Sequence, residues 1–245
     1  MKRLFVPIAP GTTPKDWVLE GDAFHYVARV LRANVGDTLE VFDGHGRSFP
    51  ARVSAADPTR LSLILDTPTQ SQPGREVFVV QGLPKGERLD DVLQKGTELG
   101  AAGFLPFSAE RSVVQLKGDR AQTRHVRWMR IVTEAAKQCR RADVPAVHPV
   151  QTLSLAIDTL PPQTQIWVLD EEETTRSLAS VVRVLRAEQP LALVVGPEGG
   201  LTRSEVGLLV GRGAQTLTLG GTILRTETAA AAVLAVMGYV DGRWG

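Results

Sequence analysis

Cysteine is nearly absent from this chain of 245 residues. Cys139 stands alone, which excludes an internal disulfide and a cysteine-rich zinc site and predicts a reducing compartment, the cytoplasm. Histidine is scarce as well: His25, His45, His125 and His148 are scattered without metal-ligand spacing, so no metal is expected. Long apolar runs are missing too. The opening Met1-Lys2-Arg3-Leu4-Phe5-Val6-Pro7 has too short an apolar stretch for a signal peptide, and the longest apolar run, Ala229 to Val240, is too short to cross a bilayer. A soluble chain with no membrane partner is predicted. The net charge of only +1 argues against a protein that coats nucleic acid without specificity. There is no internal repeat, no Ser/His/Asp arrangement and no paired-carboxylate motif pointing to hydrolysis.

What is present is a chain 43% hydrophobic and 22% charged, enough for a sizeable core in one large domain or two smaller ones. Its centre of organisation is the stretch from Val194 to Val240. Leu191 to Val195 is a short β-branched apolar run that stops at Gly196-Pro197-Glu198-Gly199-Gly200, as a buried parallel strand ending in a loop does. In Thr202-Arg203-Ser204-Glu205 the threonine hydroxyl and the glutamate carboxylate can cap each other's amides, so a helix starts there. The same grammar repeats: Thr216 to Leu219 is a strand, Gly220-Gly221-Thr222 a loop, and Leu224-Arg225-Thr226-Glu227-Thr228 leads into a helix apolar nearly all round, hence buried. Two such loops place backbone amides and helix N-termini at the carboxyl edge of one sheet, where open α/β sheets bind ligands. Gly-Pro-Glu-Gly-Gly is neither G-x-G-x-x-G nor a phosphate loop ending in G-K-[ST], so physics alone stops at a small ligand on two loops.

The paired stretches Gly196 to Thr202 with Glu205, and Leu219 to Ala229, resemble the signature of the RsmE family, SPOUT-class methyltransferases of 16S ribosomal RNA. The resemblance implies an α/β fold, a SPOUT-type trefoil-knotted domain with a parallel sheet, preceded by a small PUA-like β-barrel domain. It implies S-adenosyl-L-methionine as cofactor, the small ribosomal subunit and its 16S RNA as partner, N3 of uridine 1498 as target, and a homodimer. The knot is beyond pattern reading, because threaded chains are rare enough that topology rules discard them. Cofactor binding is expected from Leu169, Gly196, Pro197, Glu198, Gly199, Gly200, Leu219, Gly220, Ile223, Leu224, Arg225 and Thr228.

In chain order, residues 1–70 are expected as the PUA-like RNA-binding domain. Asp22 can cap a helix over Ala23 to Leu31, and Asp43-Gly44-His45-Gly46 is a hairpin signal between Thr38 to Phe42 and Arg47 to Val53. Arg29 and Arg32, three apart on that helix beside Arg3 of the opening strand, are candidate RNA contacts; the alternative is a solvated face. Asp66 to Gly74, polar with two prolines, is the expected linker, and residues 71–245 the methyltransferase domain. There strands and helices alternate: Glu76 to Gln81, Glu87 to Leu99, Phe104 to Phe107, Arg120 to Arg141, Ala146 to Val150, a short helix near Leu153, Gln165 to Leu169, and Thr174 to Leu185. Between Lys117 and Arg141 eight bases face two acids, a local +6. Trp128, Met129, Val132, Ala135, Ala136 and Cys139 form the buried stripe of that helix; Arg124, Arg127, Arg130 and Arg141 lie opposite, where they would bind phosphates or remain solvated. Gln94-Lys95-Gly96-Thr97-Glu98-Leu99-Gly100 and Arg111-Ser112 match further family positions, adding Lys95 and Arg111 to the candidate RNA contacts. Gly96 stands where the family usually has alanine and is expected to weaken its helix by up to ~1 kcal/mol; Arg140 and Asp143 replace a usual glycine and a frequent arginine.

Methylation at uracil N3 requires loss of the N3 proton, or stabilisation of the resulting anion, with N3 held in line with the methyl donor. The base must also leave any pair or stack. Arg225, at the mouth of the second loop, is the candidate guanidinium for the uracil anion; the alternative is a structural ion pair with Glu198 or Glu227. Glu198 could face a sulfonium, accept the proton or brace its loop. Two rival readings are an RNA-binding protein with a catalytically inactive knot and a nucleotide-dependent enzyme of doubly wound type. The intact glycine loops argue against the first and the absent Rossmann glycines against the second.

Overall fold

The computed structural model describes residues 2–72, 74–114, 116, 118–185 and 189–244, so Pro73 of the expected linker and Lys117 of the basic stretch lie outside the described residues. Cα packing divides the chain into two compact units: Met1–Pro73 with Ala136–Val144, and Gly74–Ala135 with Pro145–Gly245.

The first unit contains β1 (Lys2–Phe5), β2 (Asp16–Glu20), α1 (Gly21–His25) continued by a π-helical turn over Tyr26–Val30, β3 (Thr38–Phe42), β4 (Arg47–Ala56), β5 (Arg60–Leu65) and β6 (Thr69–Gln70). The sheet order is β1-β3-β4-β5-β2 with β6 on β4; β1 runs parallel to β3 and the other pairs are antiparallel. Period-two alternation sends Phe49, Ala51 and Val53 of β4 and Leu61, Leu63 and Leu65 of β5 into one core with Leu4, Val27, Leu39 and Val41. Each such large side chain contributes about 1.5–3 kcal/mol by leaving water. The hairpin forms where expected: the fully buried Asp43 carboxylate accepts from the amides of His45 (2.7 Å) and Arg47 (3.0 Å) and pairs with Arg47 Nε at 2.6 Å.

Three expectations for this unit are corrected. Asp22 caps nothing: Glu20 is the N-cap residue and Asp22 sits in the first turn. The π-helical turn ends the helix early and Arg32 follows with φ +49°, so Arg29 and Arg32 do not share a helix face. The expected linker is partly tied down, since Thr69 and Gln70 pair with Ser48 and Arg47 and the Ser71 amide donates to the Gly46 carbonyl at 2.8 Å.

The second unit is built from β7 (Val77–Gly82), α2 (Arg88–Glu98), β8 (Gly103–Phe107), α3 (Gly118–Cys139), β9 (Ala146–Val147), α4 (Leu153–Asp158), β10 (Gln165–Leu169), α5 (Leu178–Val182), β11 (Leu191–Val195), α6 (Arg203–Gly211), β12 (Gln215–Leu217) and α7 (Thr226–Val240), although the last residues of α3 count with the first unit. The sheet is parallel throughout, in the order β12-β10-β11-β7-β8-β9. Every residue of β11 is buried, as a strand covered on both faces requires. Helix α3 buries Trp128, Val132, Ala135 and Ala136, with Met129 and Cys139 half-buried at the margins of the stripe. The segment expected as a helix over Thr174 to Leu185 is helical only from Leu178 to Val182. Glu173 Oε1 takes the amides of Thr175 and Arg176 in a turn, the Arg176 carbonyl accepts from Thr218, and Ser177 becomes the cap. Gly96 is a packing residue: an added Cβ would stand 2.6 Å and 2.8 Å from ring carbons of the fully buried Phe104. Overpacking of about 1–3 kcal/mol would outweigh the ~1 kcal/mol of helix propensity that alanine offers.

Candidate active site

Strands β10, β11 and β12 end side by side, and the loops leaving their carboxyl ends enclose a cavity of about 400 Å³. It brings together Leu169, Gly196, Pro197, Glu198, Gly200, Leu219, Gly220, Ile223, Leu224 and Arg225, all expected as ligand-binding residues. Two expected residues lie off the wall. Gly199 turns its carbonyl to Arg111 Nη1 at 2.9 Å, and the exposed Thr228 has its amide bonded to the Arg225 carbonyl at 2.8 Å.

The loop after β11 is fixed from all sides. A Cβ at Gly196 would meet the Gly200 carbonyl carbon at 2.8 Å, and one at Gly82 would meet Pro197 Cδ at 2.7 Å, so only hydrogen fits where backbone crosses backbone. Glu198, 24% exposed at its side chain, accepts from Arg88 Nη1 at 2.7 Å and from the Lys85 amide at 3.0 Å. Its carboxylate is thus engaged by donors from the start of α2 and the segment before it, the contacts a brace for the loop would make. Beyond it the capping box forms in full: Thr202 Oγ1 accepts from the Glu205 amide and Glu205 Oε2 from the Thr202 amide, while Glu205 Oε1 also takes the Glu110 amide at 3.0 Å.

The loop after β12 is open. Gly220 has φ +117° with nothing within 4 Å of an added Cβ, and Gly221 is equally uncrowded. Ile223 is 83% exposed, and the Arg225 side chain is 80% exposed with Glu227 Oε1 4.0 Å away. Among the described residues no ion pair joins Arg225 to Glu198. Arg225 is the N-cap residue of α7, which begins without a side-chain cap, whereas the amides at the start of α6 are satisfied by its capping box.

The third wall follows β10. Asp170 is 8% exposed and receives Arg203 Nη2 on Oδ1 (2.8 Å) and Nη1 on Oδ2 (2.9 Å); these hydrogen bonds hold its carboxyl below the usual aspartate range against the opposing effect of burial. Glu171, also on the wall, lies 2.8 Å from a Cβ built on Gly200.

Sequence reasoning missed the support beneath this cavity. Gln81 and Thr226 are buried, and Gln81 Nε2 donates to Thr226 Oγ1 at 2.8 Å while the Thr226 hydroxyl donates to the Gly196 carbonyl at 2.7 Å. Gln81 Oε1 has no partner among the described residues. A glutamine at the end of the apolar run Val77-Phe78-Val79-Val80 was the available signal. Asp170, Glu171 and Arg88 were missed as well; the acids follow Leu169 directly in sequence.

The candidate RNA contacts divide sharply. Arg3 is corrected: it is 9% exposed, pairs with Glu40 at 3.3 Å, donates to the Ala136 carbonyl and stacks 4.3 Å from the Phe42 ring centre. Arg141 is largely buried against Asp143, and the half-exposed Arg127 pairs with Glu87 (2.9 Å) and Asp90 (2.5 Å). Arg111 is tied to Gly199, and the half-buried Arg124 reaches the Gly86 carbonyl at 3.4 Å. Arg29, Arg32, Lys95 and Arg130 are exposed. No helix among the described residues is long and apolar enough to cross a membrane.

Comparison with known proteins bears on this geometry. Residues 70–238 match the family described as RNA methyltransferase domain, and residues 19–66 the RNA methyltransferase PUA domain. A protein of Bacillus subtilis (strain 168) named ribosomal RNA small subunit methyltransferase E is 34% identical over 90% of this chain and 89% of its own. One of Mycobacterium bovis with the same name is 36% identical over 93% and 87%. The crystal structure of a ribosomal RNA small subunit methyltransferase E from Neisseria gonorrhoeae bound to S-adenosyl methionine superimposes with a TM-score of 0.85 at 28% identity, covering 100% of both chains. The fold is therefore the expected one, a SPOUT-type α/β domain with a parallel sheet preceded by a PUA-like domain, and the chain belongs to the ribosomal RNA small subunit methyltransferase E family.

Proposed function

We propose that this chain transfers a methyl group from S-adenosylmethionine to N3 of uridine 1498 of 16S ribosomal RNA in the small ribosomal subunit. The observation that carries the reading is the cavity of about 400 Å³ walled by the loops after β10, β11 and β12. Its size lies in the range of small-molecule sites. Its glycines let main chain approach a ligand, and the acid Glu171 on its wall suits a cationic one. The residues present fit the cofactor, which when bound supplies an electrophilic methyl on a sulfonium. Leu169, Gly196, Gly200, Leu219, Gly220 and Leu224 would hold it.

The chain's own part in the reaction follows from its open second loop. Arg225 is the catalytic residue in this reading: exposed at the cavity mouth, its guanidinium faces the uracil oxygens, favours loss of the N3 proton to solvent water and stabilises the anion that takes the methyl group. Nucleoside mass spectrometry of ribosomal RNA from cells lacking the protein tests the reading. It predicts loss of 3-methyluridine from the small subunit, restored by the native gene and not by Arg225→Ala. An unchanged nucleoside profile would contradict it.

We further take residues 1–70 as an RNA-binding domain and residues 71–245 as the methyltransferase domain, acting as a homodimer in the cytoplasm. The apolar, exposed Val236, Tyr239 and Val240 of α7 support a second copy covering that face, and sedimentation showing a stable monomer at micromolar concentration would refute it. For RNA docking, exposure favours Arg29, Arg32, Lys95 and Arg130. Alanine at Arg130 together with Arg29 and Arg32 should weaken RNA binding and flatten its salt dependence by about 0.7–0.9 log units for each phosphate that is no longer neutralised. An unaltered slope would send the docking surface elsewhere.

A further inference from the structure

The side chain of Arg225 is held only loosely by its own contacts: it is 80% exposed, and its ion pair with Glu227 Oε1 spans 4.0 Å. Its position must be set by its backbone. Arg225 is the N-cap of α7, its carbonyl accepting from the amides of Thr228 (2.8 Å) and Ala229 (3.0 Å), and the next residue, Thr226, is anchored by its hydroxyl.

That anchor has a direction. Gln81, 0% exposed at the end of β7, points Nε2 at Thr226 Oγ1 (2.8 Å), the Gly82 carbonyl (3.0 Å) and the Gly196 carbonyl (3.3 Å). Because Gln81 donates to Oγ1, the Thr226 hydroxyl acts there as acceptor and sends its own proton to the Gly196 carbonyl at 2.7 Å. A chain of donors thus runs from Gln81 through Thr226 to the first glycine loop. Methionine would keep the length of Gln81 and lose the donors, and glutamate would set a carboxylate against carbonyl oxygens. The unpartnered Oε1 indicates that the amide N–H group is the part in use.

We propose that Gln81 is a positioning residue for methyl transfer: through Thr226 it registers the start of α7 against Gly196 and so places Arg225. This inference rests on the reading of Arg225 as the anion-stabilising group. It predicts that Gln81→Met slows single-turnover transfer to undermethylated small subunits by about tenfold or more, since misplacement of a catalytic group by an ångström costs up to about 100-fold. In ligand-free protein the amides of Thr228 and Ala229 should exchange with solvent about tenfold faster, with those of β10 unchanged. In an Arg225→Ala background Gln81→Met should cost less than about twofold more, because the two act in series. Thr226→Ser should keep native behaviour and Thr226→Val should reproduce Gln81→Met. Should Gln81→Met not fold, Thr226→Val combined with Arg225→Ala carries the same comparison. Unchanged exchange at Thr228 and Ala229, or a loss of rate that simply adds to that of Arg225→Ala, would overturn the proposal. Failure of the underlying function would show separately, as an absence of methyl transfer by the native chain, while the exchange measurement would still report on Gln81.

Discussion

A methyl group added at Gly196 would stand 2.8 Å from the carbonyl carbon of Gly200, whereas around Gly220 and Gly221 an added methyl would meet nothing within 4 Å. Both loops follow a strand, precede a helix and are dense in glycine, yet glycine serves different ends in them. In the first it allows close approach, and the loop is locked by Arg88, Gln81, Arg111 and a complete capping box. In the second it allows a backbone angle, φ +117° at Gly220, and leaves Ile223 and Arg225 in the open. A locked floor and an exposed lip divide the site: the floor shapes the cavity, and the lip carries Arg225, the group proposed to meet the substrate.

Substitutions can break this contrast. The largest effect should come from Gly196→Ala, because backbone atoms on the far side cannot swing away as a side chain would. We expect destabilisation of at least about 1–3 kcal/mol, the cost of overpacking, measured as a lower melting temperature. A native melting temperature would mean that the floor is not locked. Next comes Gly220→Val. A β-branched residue at φ +117° is strained without being crowded, and the exposed loop should shift to relieve the strain, so the protein should fold with little loss of stability while its affinity for S-adenosylmethionine collapses. Calorimetry reading native affinity would show that the lip's backbone angle is irrelevant to binding.

A smaller effect is expected from acid. The third wall is pinned by Asp170 and Arg203, and the Asp170 carboxyl is held below its ordinary value of 3.8 chiefly by hydrogen bonds from Arg203. A carboxylate with a lowered value in the folded state adds stability that is complete above pH 3.8 and is lost as pH falls through the lower folded value. Asp170→Asn should therefore be less stable than the native chain at neutral pH and should lose less stability below pH 3.8; parallel denaturation curves at both pH values would contradict the pin. Smallest of all is Gly221→Ala, with open space and no left-handed angle, for which both stability and cofactor affinity should stay within about 0.5 kcal/mol of native.

The contrast between the loops was only half legible in the sequence. Leu191 to Val195 announces a buried strand by its apolar run, and Thr202 with Glu205 announces a helix start by spacing; both are local, and both formed as expected. Gly196 and Gly220 read alike because a glycine carries no mark of whether it answers crowding or a dihedral angle. Gln81 was passed over because its partners, Thr226 and Gly196, lie far along the chain and meet it only through the strand order β12-β10-β11-β7. Arg3 looked like a phosphate ligand because charge is visible in sequence, whereas the acid that neutralises it, Glu40, becomes its partner only in the folded chain; for Arg141 the acid was local, Asp143 two residues on. The helix expected over Thr174 to Leu185 yielded to the Glu173 carboxylate, which captured the amides that would have opened it.

The central claim is tested most directly by incubating the purified chain with S-adenosylmethionine and small ribosomal subunits from cells that lack it, then digesting the RNA for nucleoside mass spectrometry. The account predicts that 3-methyluridine appears, up to one per subunit at uridine 1498, and that Arg225→Ala forms it slower by a factor on the order of 100 while binding the cofactor normally. Methyl transfer to any other position, or an Arg225→Ala variant as fast as the native chain, would contradict it.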